Sequence, residues 1–277
     1  MIRMVILSII IATTVIVAGC DPDQMRRDFV APRYLQQAEG YIRDLPRDTA
    51  AAEHAVDRAM QLMRDNEEVE LRAARVYAMA RAWEKAIPLF EAQEQLMLRD
   101  QIIFGHCLLN TGQEERGAEL CLQAIADAQR MRDQRLIGRL EWALYLNDAG
   151  YILADADVHI EEAHAAVNQA AEAYPLEGSF VDSLGWALFR MNELTDAAFY
   201  LERALRLADR DDPEVLYHLG VVYSRLGRYA DAYEVLQRAQ ELDPEYDPIT
   251  EELRRLGRIL PPPALAAITD TRLQSRS

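Results

Sequence analysis

Three glycines recur at a constant interval in the second half of this 277-residue chain. Gly150, Gly185 and Gly220 are separated by 35 residues each, and each lies among apolar and aromatic neighbours. Downstream of each of these three glycines, a small residue is followed four positions later by an apolar residue, as at Ala232 and Leu236 after Gly220. A fixed period of 20–50 residues is typical of a repeat architecture, in which each unit buries its apolar face against the next.

The spacing inside each interval predicts a pair of antiparallel helices. Small residues are needed where two helices touch closely, and larger apolar residues fill the adjoining holes at i, i+3, i+4 and i+7. Gly227 stands where the first helix of the last interval should end, and a helix C-terminus favours a residue with positive φ. This pattern, clearest over 213–246, resembles the tetratricopeptide repeat, a helix–turn–helix unit of about 34 residues. The resemblance implies an all-α TPR-type solenoid, wound as a right-handed superhelix.

The register of these units extends in both directions along the chain. We expect about six repeats and a C-terminal capping helix, since a solenoid needs a polar last face. The predicted repeats are 33–66, 67–97, 98–131, 143–177, 178–211 and 213–246, followed by the cap at 247–260. Residues 132–142 exceed a normal turn and are expected to lengthen the flanking helices. The triple proline after the cap should end it and leave 261–277 as a loose tail.

The beginning of the chain has the pattern of a secretory signal. Arg3 is the only charged residue before Asp21, and residues 4–19 form an uncharged, largely apolar run. This run is shorter than the roughly 20 residues that a helix needs to cross a bilayer. A short positive segment followed by an apolar one predicts a signal peptide over 1–19.

The end of that run resembles a bacterial lipobox. The residues are Val17-Ala18-Gly19-Cys20, and the resemblance implies that Cys20 is lipidated, with palmitate among its acyl chains, and begins the mature protein. It further implies a tether over 20–32 and anchoring to the membrane of the bacterial cell envelope, facing the periplasm or the exterior. Asp21 resembles a signal for retention at the inner membrane. The alternative is an ordinary signal peptide or an uncleaved anchor, with Cys20 incidental.

The charge balance excludes one class of partner. The chain carries 30 basic and 46 acidic residues, for a formal charge of −16. A general nucleic-acid binder needs a basic face that neutralises phosphates, so no nucleic-acid partner is expected. The same excess of acid disfavours adhesion of the folded body to an anionic membrane surface.

Few residues offer catalytic or metal-binding chemistry. His159 and His164 are five positions apart, and this places them about 140° apart on a helix, whereas a helical zinc pair needs four positions. His106, Cys107 and Cys121 share one predicted repeat, and the thiols are expected to be small buried hydrophobes. A disulfide between them remains open, since an oxidising compartment would permit it. We therefore expect no catalytic residue, no metal site and no cofactor beyond the covalent lipid.

The resemblance also points to a binding surface. In the family, the concave face is lined mainly by the fifth and ninth positions of each first helix. The predicted partner-binding residues are His106, Asn147, Tyr151, Asp182, Trp186, Phe189, Tyr217 and Val221, with Tyr41 and Arg75 at the ninth positions of the first two repeats. Exposed aromatic side chains beside a few polar groups are typical of binding hot spots. The alternative is that Trp186 and Phe189 pack against the neighbouring repeat, or that the tail or the cap helix covers them.

These features predict a non-enzymatic scaffold or adaptor. Its concave groove would bind a protein segment, while the lipid anchor holds the complex at the membrane. Two narrower roles stay open. Segments 146–151 and 182–186 resemble lipoproteins that deliver substrates to an envelope protease, and the chain could instead be an assembly subunit of a pilus, secretion or outer-membrane complex. The sequence leaves open the partner, the choice of membrane and the oligomeric state.

Overall fold

The fold is entirely helical over the part of the chain that the structure describes. A computed structural model describes residues 30–43, 47–63 and 66–260. Within these ranges the chain forms thirteen α-helices and no β-strand, which confirms the predicted all-α class. The predicted signal peptide 1–19, the lipidation site Cys20, most of the tether 20–32 and the tail 261–277 lie outside the described residues. None of the described helices is both long and apolar enough to span a bilayer.

The first compact unit contains four helices and ends at Gln93. Its helices are α1 (Ala31–Arg43), α2 (Thr49–Leu62), α3 (Glu67–Met79) and α4 (Trp83–Glu91). Asp48 and Asn66 cap α2 and α3, because their side-chain oxygens accept hydrogen bonds from the backbone N–H groups of Ala51 at 2.8 Å and Val69 at 3.0 Å. Each cap satisfies a donor that the first helical turn leaves unpaired.

The second compact unit begins at Glu94 and contains nine helices. They are α5 (Leu98–Asn110), α6 (Glu114–Asp133), α7 (Arg139–Asp155), α8 (Ile160–Ala173), α9 (Gly178–Arg190), α10 (Leu194–Leu207), α11 (Pro213–Arg225), α12 (Tyr229–Leu242) and α13 (Asp247–Ile259). Each second helix packs on its own first helix and on the first helix of the next pair. The first helices α5, α7, α9 and α11 are therefore consecutive neighbours, and the last, α11, also meets α13 at the predicted cap.

The recurring glycines lie where the two helices of a pair touch. A Cβ atom on Gly220 would lie 2.5 Å from Cγ of Leu236, and one on Gly185 would lie 2.8 Å from Cγ of Leu201. Both leucines are fully buried. The period is thus a packing requirement between a glycine on the first helix and an apolar side chain on the second. Gly40 in the first repeat differs, since a Cβ there would meet no atom within 4 Å.

A left-handed residue closes the turn inside five of the pairs. Gly112 and Gly227 adopt φ of 77° and 76°, and Asn192 takes the corresponding position with φ of 65°. The next residue then donates its backbone N–H to the carbonyl five positions back, as from Arg228 to Tyr223 at 2.9 Å. This is the Schellman arrangement, which satisfies carbonyls at the end of a helix. The remaining two such residues, in the turns after α3 and α7, are Arg81 and Asp157.

Candidate functional site

The predicted aromatic residues come together on one side of the second unit. We call this side the first-helix face: the surface of α5, α7, α9 and α11 that carries the fifth and ninth positions of each repeat. The rings of Trp186 and Phe189 are stacked with centroids 4.8 Å apart, and the ring of Tyr217 lies 6.2 Å from Trp186. Tyr217 also meets Tyr246 edge-to-face at 5.3 Å. The aromatic side chains therefore form one cluster across neighbouring repeats.

Trp186 is packed inside this cluster rather than presented on its surface. Only 3% of the residue is exposed, and its ring is sandwiched between Phe189 and His218, whose ring lies 4.1 Å away at 19°. The indole N–H donates to Asp155 Oδ1 at 3.1 Å. Phe189 is 8% exposed and carries the guanidinium of Arg225 over its ring. These two side chains follow the alternative stated above, in which they pack against the neighbouring repeat.

Asp182 pairs with His218 across the α9–α11 contact. His218 Nδ1 lies 3.0 Å from Asp182 Oδ2, and both residues are buried. Burial alone lowers the pKa of His218, but the carboxylate of Asp182, with Glu214 and Asp155 nearby, raises it on balance above 6.5. The pKa of Asp182 is also raised, mainly by burial. This predicted groove residue therefore serves as one half of a buried pair that joins two repeats.

A second polar contact spans three repeats. The hydroxyl of Tyr151 on α7 donates to Glu214 Oε1 on α11 at 2.5 Å, and it lies 3.5 Å from His218 Nε2. Burial and the nearby Glu214 carboxylate raise the pKa of Tyr151 well above 10, so the hydroxyl keeps its proton at neutral pH. Because α9 lies between these helices in the stack, the bond ties α7, α9 and α11 into one block.

The other predicted residues differ in how much solvent they reach. His106, Tyr151, Tyr217 and Val221 are half-buried, so each keeps part of its side chain on the first-helix face. Asn147 is buried at 7% exposure, and its Oδ1 has no hydrogen-bond partner among the described residues. A cavity of about 170 Å³ adjoins the face, lined in part by His106, Asn110 and Asp155. Tyr41 and Arg75 lie on α1 and α3 of the first unit.

The sequence does not single out His218, Glu214 or Asp155, although a signal for them is present. Asp182 and His218 are 36 residues apart, one repeat plus one residue, and Trp186 lies 31 residues after Asp155. Positions offset by about one period face each other on consecutive first helices. A search for complementary polar residues at that offset would have found the Asp182–His218 contact, and one that also allowed a shift of one helical turn would have found the bond between Trp186 and Asp155.

The two described cysteines are buried free thiols. Burial raises the pKa of Cys107 and of Cys121 to about 12, so both stay protonated at neutral pH. His159 lies in the turn before α8 with φ of 49°, and His164 lies within that helix. Over the described ranges, no group of three or more His, Cys, Asp or Glu side chains is arranged to hold a metal ion.

Comparison with known proteins supports the interpretation of the helical pairs as tetratricopeptide repeats. The tetratricopeptide repeat profile matches residues 183–247. A TPR repeat-containing protein of Pseudomonas aeruginosa is 37% identical over 95 residues, which are 34% of this chain. Residues 183–247 of this chain therefore match tetratricopeptide repeats in sequence. The match spans only 16% of that relative's length.

Solved structures show the same TPR architecture. The type IV pilus biogenesis factor PilW aligns with a TM-score of 0.52 and 18% identity, over 83% of this chain and 99% of PilW. A chain of the APC/C hetero-tetramer Cut9–Hcn1 aligns with a TM-score of 0.54 and 15% identity, over 84% of this chain and 44% of its own. At such identities the likeness concerns the fold alone.

Proposed function

We propose that this TPR protein is a non-catalytic scaffold or adaptor that binds a segment of a partner protein on the first-helix face of its second unit. The observation that supports this most directly is the position of Tyr151 and Tyr217, which are half-buried and keep part of their surface in solvent at the edge of the Trp186 cluster. Stacked repeats of this kind offer extended binding surfaces. Because the Asp182–His218 and Tyr151–Glu214 contacts already fix the face, little ordering is needed when a partner binds.

The charge around the face favours an apolar or mildly basic segment. Burial, together with the carboxylates of Asp155, Glu252 and Glu251 and against the smaller effect of Arg190, raises the pKa of Tyr217 to about 12. A region that disfavours the tyrosinate anion also disfavours an acidic peptide. An acidic C-terminal tail is therefore a poor ligand for this face. Basic residues on a ligand would instead speed its association with a chain of charge −16.

The proposal includes the anchor that the sequence predicts. Lipid on Cys20, after removal of residues 1–19, would hold the scaffold at a membrane of the bacterial envelope, with Asp21 favouring the inner one. The test is Cys20→Ser. We expect it to block processing or to release the protein from the membrane fraction, whereas unchanged attachment and processing would refute the anchor. Delivery of substrates to a protease and assembly of a pilus or secretion complex remain narrower versions of the same role.

A photo-crosslinking amino acid placed on the face tests the binding proposal. Positions 217 and 221 are chosen for the crosslinker because both side chains reach solvent, whereas the side chain at position 186 is buried. Phe199 on the second helix α10, which is 57% exposed, provides the matched control. We expect one partner to be captured from 217 and 221 in cells but not from 199. Equal capture from all three positions, or capture from 199 alone, would refute the assignment of this face.

A further inference from the structure

The α6–α7 hairpin brings exposed leucines and arginines together. Leu136, Leu140 and Leu144 are 66%, 51% and 42% exposed. Arg132, Arg135 and Arg139 lie in the same segment of the sequence, residues 132–144. We call these six residues the arginine–leucine tip.

Helix lengths show that the tip extends past its neighbours in the second unit. The helices α6 and α7 have 20 and 17 residues, whereas α9 and α11 have 13 each. Four additional residues in α7 correspond to about 6 Å of helix at 1.5 Å per residue. Tyr151 and Trp186 hold the same repeat position, yet Tyr151 lies further from the start of its helix, so the additional length lies at the start of α7. The turn between the helices, around Arg135 with φ of 58°, is thus a protruding end.

The arginines of the tip are available to an anionic surface. The guanidinium of Arg132 lies 5.8 Å from the ring centre of Trp142, and that of Arg139 lies 5.5 Å from the ring centre of Tyr174. Aromatic side chains therefore orient both, while Arg135 is exposed. None of the three forms an ion pair with a carboxylate among the described residues, whereas the adjacent Arg130 is paired with an aspartate. Residues 130–140 hold four arginines and a single acidic residue, in a chain whose formal charge is −16.

We propose that the arginine–leucine tip binds the anionic headgroup surface of a phospholipid bilayer, with its leucines inserted at the interface and its arginines beside the phosphates. Exposed leucines flanked by arginines favour the boundary between headgroups and acyl chains. A flat surface fits a protruding end, whereas a peptide ligand would need a groove. The tip would set the orientation of the solenoid on the membrane, and it does so independently of any partner on the first-helix face.

The acidic body of the protein does not cancel this attraction. At physiological ionic strength, charges separated by more than about 8 Å are largely screened. The arginines at the protruding end therefore act locally, and acidic side chains elsewhere are repelled only in orientations that bring them within that distance of the bilayer. The two effects together favour one orientation, with the tip towards the bilayer.

Local fluorescence quenching in the full-length chain tests the proposal. The reporter is Leu136→Trp, and Phe199→Trp on α10 is the matched control at similar exposure. Both variants are reconstituted with brominated lipids, in vesicles of phosphatidylcholine with or without phosphatidylglycerol. Relative to the parent chain, we expect added quenching at 136 that requires phosphatidylglycerol, and none at 199. This comparison is insensitive to how the N-terminus is attached, because only the local probe is read.

Charge variants decide whether the arginines cause the effect. Arg135→Glu in the reporter background should lower the equilibrium constant for insertion of the tip, taken from the quenched and unquenched fractions at one phosphatidylglycerol content, at least about fivefold, the factor expected for one arginine near an anionic surface. Arg135 is exposed, so this variant should keep its helical circular dichroism spectrum. Equal quenching at 136 and 199, quenching at 136 without anionic lipid, or no effect of Arg135→Glu would each overturn the proposal. So would a change in emission at 136 that follows protein concentration or added polyglutamate without vesicles.

Discussion

The glycine-to-leucine contact between paired helices yields the sharpest quantitative prediction. Gly220→Ala would place a Cβ atom 2.5 Å from Leu236 Cγ, 2.8 Å from Cδ2 and 3.1 Å from Cδ1. All three are shorter than an ordinary van der Waals contact. Leu236 is fully buried, so its side chain has no open space to move into. Overpacking a core costs roughly 1–3 kcal/mol, and three simultaneous close contacts place this site near the upper end.

The intrinsic preference for alanine in a helix partly offsets this strain. Replacing glycine by alanine inside a helix is worth about 0.8–1.0 kcal/mol, so the net loss of unfolding free energy for Gly220→Ala should be about 2 kcal/mol. The matched control is Gly257→Ala in α13, where a new Cβ would meet no atom within 4 Å. That variant should be stabilised by up to about 1 kcal/mol.

Urea unfolding followed by tryptophan fluorescence measures both variants, because Trp142 and Trp186 lie in the second unit. A double-mutant cycle with Leu236→Ala then isolates the contact. The leucine truncation alone should cost about 2–5 kcal/mol, and in the Gly220→Ala background the cost should be about 1–2 kcal/mol smaller, since the new methyl group occupies part of the cavity. If Gly220→Ala proves as stable as the parent, or if the two changes are additive, the period does not arise from this contact.

Three further predictions concern the turn, the aromatic cluster and the buried pair. Gly227→Ala should cost about 1–2 kcal/mol in urea unfolding, because a left-handed backbone strains any residue with a Cβ. Gly227 has φ of 76° and no atom crowds it, so an unchanged stability would contradict this source of strain. Trp186→Ala should lower the unfolding free energy by about 3–5 kcal/mol, and a smaller loss than that of Gly220→Ala would show the ring to be weakly packed. The pKa of His218 is raised in the folded protein above 6.5, so the stabilisation from its pairing with Asp182 is complete below the unfolded pKa and is lost as pH rises through the raised value. Unfolding free energy should fall over this interval, and His218→Gln should remove the dependence; an unchanged slope would refute the link.

The sequence predicts the helical pairs well because geometry dictates the residue types at their contacts. Only a glycine permits the close approach at positions 185 and 220, so the interval between them is visible without any structure. The turns between paired helices are harder to predict from the sequence. Asn192 and Arg81 adopt the same left-handed conformation as Gly227, but asparagine indicates that conformation less strongly than glycine and arginine does not indicate it.

The depth of a side chain is harder to predict than the face on which it lies. The repeat register places Trp186 on the same side as Tyr151, and the structure brings these residues to one face. The register does not reveal that His218 of the next repeat covers the indole ring, because that contact joins positions on different helices. Apart from Phe189 on the same helix, the residues that contact Trp186, namely His218 and Asp155, lie about one period away in sequence, and an analysis of one repeat at a time does not include them.

This burial changes how a binding experiment on the first-helix face should be interpreted. Trp186 stacks on His218, and His218 pairs with Asp182, so loss of any of these side chains loosens the contact between α9 and α11. A variant at these positions would weaken partner binding even if the partner never touched them, because the face itself would no longer be fixed. Tyr217 and Val221 keep part of their surface in solvent and carry less of that packing. If a substitution of Tyr217 or Val221 reduces partner binding while the unfolding free energy stays unchanged, the loss is one of recognition and not of stability.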